Sequence, residues 1–135
     1  MENVIIIFTA VIAASSTFYA STTLKMGPVR ASALLSLIVA LFFNFFDTLL
    51  SPELTKVIPI VFFGASFLGM VSPKVLSNYR FLALGGFLFS LIFINTSFFF
   101  QGFGGALGTS ANIAVLISFA LFLFFKQRTF KKDQE

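Results

Sequence analysis

Residues 57–80 read VIPIVFFGASFLGMVSPKVLSNYR, and whether the first fifteen of them cross a membrane decides the fold. As a helix, Val57 to Val71 is roughly 22 Å long against a hydrocarbon core of about 30 Å. The basic residues around it decide the matter. If the stretch crosses, Lys74 and Arg80 share a side with Lys25, Arg30, Lys126, Arg128, Lys131 and Lys132, and only Lys56 stands opposite. If it does not, Lys74 and Arg80 fall on the side away from Lys25 and Arg30. Loops rich in Lys and Arg stay in the cytoplasm, so the first arrangement is expected.

Working outward, four further apolar stretches flank this one: 4–24, 29–50, 81–100 and 103–125. Gly27-Pro28 separates the first two, because proline lacks an N–H and restricts the residue before it. Ser51-Pro52-Glu53 closes the second, and Gln101-Gly102 leaves room only for a tight turn between the last two. The expected fold is all-α: a polytopic transmembrane bundle of five spans, N-terminus outside and C-terminus cytoplasmic. Residues 1–125 form one membrane-embedded domain and 126–135 a basic cytoplasmic tail. The first segment is expected to be retained, since Met1-Glu2-Asn3 lacks the basic start of a cleaved signal peptide. Multi-pass insertion in the cell membrane follows.

Composition supports this. The 135 residues are 58% hydrophobic and 10% charged, whereas a soluble domain carries about a quarter charged residues. The lipid bilayer is therefore the first expected partner. The formal charge of +4 comes from cytoplasmic loops and tail, so no nucleic-acid partner is expected. With neither Cys nor His in the chain, thiol chemistry is absent and zinc and iron lose their usual ligands. No metal or other cofactor is expected. Phe18-Tyr19-Ala20-Ser21 with Leu24, Met26 and Pro28 resembles Phe62-Phe63-Gly64-Ala65 with Leu68, Met70 and Pro73, which would make the bundle a 2+2+1 duplication.

Candidate functional groups are few. The acids Glu2, Asp47, Glu53, Asp133 and Glu135 all lie outside or near the ends of spans, with Asp47 read as a hydrated outer-end charge. Lacking a carboxylate pair, His or Cys at depth, the chain is not expected to be an enzyme. The uncharged polar groups are more informative. Asn44, Asn95 and Asn112 are placed about 9, 8 and 15 Å below the outer surface, and Thr17 and Ser21 belong to a hydroxyl cluster in the inner half of the first span. Set side by side, amides above and hydroxyls below would line a polar path; bridges between helices are the structural alternative. Gly104 with Gly108, Ala65 with Gly69, and Gly86 with Ser90 repeat a small-residue spacing that lets helix backbones approach closely. Asn112 falls on the Gly104/Gly108 face and is expected to point inward with it.

Arg80-Phe81-Leu82, Gly85-Gly86, Ala111-Asn112, Phe122, Lys126 and Phe130 resemble one hairpin of the GtrA-like membrane proteins over about fifty residues. That family implies movement of polyprenyl-linked sugars. The second span departs from it, lacking a basic-aromatic ending and running in the opposite direction, so no family is assigned. Two functions fit these residues: a transporter, channel or lipid-intermediate translocation subunit lined by uncharged polar groups, or a structural or accessory subunit packed through small-residue faces. Its protein partner is then a second copy or a larger membrane protein.

Overall fold

The computed structural model describes residues 1–76, 78–96 and 104–134. Among them are five helices: α1 Glu2–Thr22, α2 Pro28–Phe45, α3 Pro52–Gly69, α4 Tyr79–Thr96 and α5 Gly104–Lys132. All five are long and apolar enough to cross a membrane, so the fold is an all-helical bundle compatible with a small multi-pass integral membrane protein. The expected turn at Gln101-Gly102 lies outside the described residues.

Local chemistry sets the helix ends. The chain leaves α1 through Lys25 (φ 52°) and Gly27 (φ 88°); the second of these backbone angles is one glycine adopts freely. Pro28 then opens α2 at a position where its fixed φ is already helical. Ser51 caps α3 by accepting from the Leu54 N–H, with Pro52 in the first turn and Glu53 beside the positive end of the helix dipole. These start signals carry α3 back through Lys56, so the short stretch of the sequence becomes 18 residues, about 27 Å. The second stretch is shorter than expected. α2 ends at Phe45, and Asp47 sits exposed in the turn that follows, its carbonyl accepting from the Thr55 hydroxyl. Asn78 starts α4 by accepting from the Arg80 N–H, and the buried Leu76 pins the connection before it.

α1, α3 and α4 touch one another at the centre; α2 packs on α1 and α3, and α5 on α3 and α4. Small residues make the centre close. Ala10, Ala13 and Ala14 of α1, Ala65 of α3, and Ala111 and Ala114 of α5 are buried among Val61, Leu68, Leu82 and Phe89. In lipid such packing replaces the hydrophobic drive available in water. Contacts between helix ends give the directions: Phe18 meets Tyr79 edge to face at 5.2 Å, Ser32 meets Ser66 at 2.6 Å, and Phe81 meets Phe122 at 5.3 Å. The end of α1, start of α2, end of α3, start of α4 and later part of α5 therefore share one end of the bundle. Lys25, Arg30, Lys74, Arg80 and the basic residues of α5 gather there. Among the described lysines and arginines, only Lys56 lies at the other end, in the first turns of α3.

The similarity between the Pro28 and Pro73 stretches does not extend to geometry. Pro28 is the first residue of α2, whereas Pro73 stands in a turn and α4 begins at Tyr79.

Candidate functional site

The polar groups inside the bundle are hydroxyls. Thr17 and Ser118 are completely buried, Ser36 is nearly so, and none of the three finds a hydrogen-bond partner among the described residues. Ser66 donates to the Phe63 carbonyl at 2.6 Å, and with its single proton so used it accepts from Ser32 at 2.6 Å. This α2–α3 pair was not singled out in the sequence, because any serine in an apolar helix can bond its own backbone instead. Ser90 does so, donating to Phe87, as do Thr9, Ser16, Thr22 and Thr96 to carbonyls on their own helices. Ser21 is half-buried near the end of α1.

The amides correct the expected polar line. Asn44, Asn95 and Asn112 are all exposed on the outside of the bundle. Asn44 is the last residue but one of α2, and Asn95 the last but one of α4, where its amide donates to the Leu91 carbonyl at 2.7 Å. Both therefore stand near helix ends rather than a turn or two below them. Asn112 alone lies deep, eight residues after the start of α5, about 12 Å in. It points away from Thr17, because the buried face of α5 is Ser110, Ala111, Ala114 and Ser118, rotated by roughly one residue, or 100°, from the expected one. The amides and the hydroxyls do not meet.

The glycines divide in the same way. A methyl group added at Gly69 would come within 2.5 Å of Thr17 Cβ, 2.6 Å of the Ala14 carbonyl oxygen and 2.8 Å of the Phe18 nitrogen. One at Gly86 would lie 3.0 Å from the Ala10 carbonyl oxygen and 3.0 Å from Val11 Cα. Apart from Thr17 Cβ these are backbone atoms, met across the α1–α3 and α1–α4 crossings. Ala65 and Ser90 are fully buried beside them. Gly108 and Gly105 face open space, with nothing within 4 Å of such a methyl. The close contact expected at Gly108 is thus absent among the described residues, and the contacts of Gly104 lie outside them. The residues of α1 that meet these glycines, Ala10, Ala13 and Ala14, were not singled out in the sequence, although with Thr17 they recur at the three- and four-residue spacing of one helix face.

Among the described residues no three acidic, histidine or cysteine side chains come together as a metal site. No family model, curated protein or solved structure matches the chain, and the hairpin resemblance receives no support from these comparisons.

Proposed function

We propose that the protein is a structural or accessory subunit of a membrane assembly, offering the outer face of α5 to a helix of a larger membrane partner. The observation that carries this reading is Asn112: an exposed amide about 12 Å along α5, on a face where Gly105 and Gly108 leave the backbone bare. A carboxamide in hydrocarbon without a partner costs several kcal/mol, and a partner helix resting on the two glycines would come near enough to bond it. The transport reading called for amides and hydroxyls along one line. With Asn112 turned outward and Thr17 inward, that support is lost.

A photo-crosslinking residue placed at Gly108 or Leu116 in native membranes tests the proposal. Adducts with one other membrane protein from these positions, and none from buried Ala111, are the expected result. Adducts with lipid alone would overturn it, and adducts between copies would replace the larger partner with a homo-oligomer. Modification of Asn112→Cys by a small polar thiol reagent would instead restore a water-filled path.

A further inference from the structure

The end of α5 reaches past its neighbour. Phe81, the third residue of α4, is level with Phe122, and α5 continues for ten more residues to Lys132. That overhang, about 15 Å long, carries Lys126, Arg128, Lys131 and Lys132, with Asp133 just beyond the helix as its only acid among the described residues. Along the overhang, starting where Phe81 of α4 meets α5, runs a groove of about 350 Å³. Phe81, Phe122 and Phe125 line its inner part, their rings 5.3 and 6.1 Å apart across the two helices. Lys126 lines the middle, and Thr129, Phe130 and Asp133 the mouth.

Depth explains the mixture. Phe122 lies about 27 Å and Lys126 about 33 Å along α5, so for a core of about 30 Å the aromatic part belongs with acyl chains and the ammonium with headgroups. Phe125 and Phe130 are half exposed or more, which suits rings at an interface and not in water. Only a lipid or another transmembrane helix can reach the inner part. Lys126 is the cation in the groove itself, and with Arg128, Lys131 and Lys132 elsewhere on the overhang it outweighs Asp133 at the mouth, so the local potential favours an anionic headgroup; a zwitterionic one would set its own ammonium against these cations.

We infer that this groove is a binding site for one anionic phospholipid, an acyl chain lying on Phe81, Phe122 and Phe125 and the phosphate on Lys126, with Arg128 adding to the local positive potential. This is independent of the α5 face assigned to a protein partner. Basic residues close to an anionic surface each contribute about fivefold in affinity.

Native mass spectrometry of the intact protein, offered equal amounts of phosphatidylglycerol and phosphatidylcholine with identical chains, reads the site directly. Retention of one phosphatidylglycerol per chain, with a preference of about tenfold or more, is expected. Lys126→Gln with Arg128→Gln, both at exposed positions, should abolish the preference, whereas Lys25→Gln with Lys74→Gln at the same end should leave it within about twofold. Phe81→Ala should weaken both lipids and keep their ratio. On the unmodified chain, sodium chloride at about 1 M, where charges are screened within about 3 Å, should lower the preference, which keeps the test open if a variant misfolds. No preference in the unmodified chain, an equal loss from the Lys25/Lys74 pair, or displacement of the lipid by equimolar inorganic phosphate would each overturn the assignment. So would occupation of the groove by a protein in place of lipid.

Discussion

Gly69 and Gly108 are the same residue, each the second member of a small-residue pair spaced by four, yet one is pressed against the backbone of α1 and the other faces open space. The spacing is common to both; the phase is not. Around Gly69 the residues one turn back, Ala65 and Ser66, are buried, as are the adjacent Leu68 and, across the crossing, Ala14 and Thr17. Around Gly108 the residues one turn on are Asn112 and Ala111, and only Ala111 is buried. A small-residue pair therefore marks where a helix can be approached, and the pattern of its flanking residues marks whether this chain or another does the approaching.

The largest expected effect lies at Gly69. Gly69→Val would drive branched carbons into the Ala14 carbonyl, which cannot move aside as a flexible side chain could, and should cost about 3 kcal/mol or more, read as thermal unfolding in detergent. An unchanged midpoint would break the comparison at its tight end. Gly86→Ala comes next. Its methyl meets α1 backbone at 3.0 Å, and the overpacking should outweigh a helix-propensity gain of up to about 1 kcal/mol, leaving a net loss of about 1 kcal/mol in the same assay.

Thr17→Val sharpens the account of the centre. The exchange keeps the shape of the side chain and removes a buried hydroxyl that has no partner among the described residues, so stability should stay level or rise by up to about 1 kcal/mol. A loss of about 2 kcal/mol would mean that the hydroxyl is bonded. Smallest of all is Gly108→Leu, expected within about 0.5 kcal/mol of the parent for the purified chain, while its crosslink to a partner helix in native membranes should disappear. A destabilisation of 1 to 3 kcal/mol, as overpacking would give, would return Gly108 to the interior.

How much was legible follows from what each signal measures. Five helices were readable because apolar length and the placement of Lys25, Arg30, Lys74 and Arg80 report independently on the same crossings. Helix ends were read less well where a cap outweighed hydropathy: Ser51 and Pro52 extended α3 across Lys56, and α5 ran helical through Lys131 and Lys132, whose charge favours the negative end of the dipole. Facing was the hardest to read. In a soluble helix the polar side marks water, but α5 carries no charged residue before Lys126, so Asn112 carried no solvent reference and a one-residue error of phase turned it from outside to inside. The Ser32–Ser66 pair needed the α2–α3 register, which no local pattern encodes.

Oxygen accessibility of a spin label stepped through positions 105 to 118 in bilayers reads the phase of α5 most directly, since the chain contains no cysteine and each single substitution is unique. The expected profile has maxima at 109, 112 and 116 and minima at 111, 114 and 118, with low access throughout for a water-soluble nickel chelate. Minima at 108 and 112, or a chelate maximum at 112, would contradict the outward placement of the amide on which the account rests.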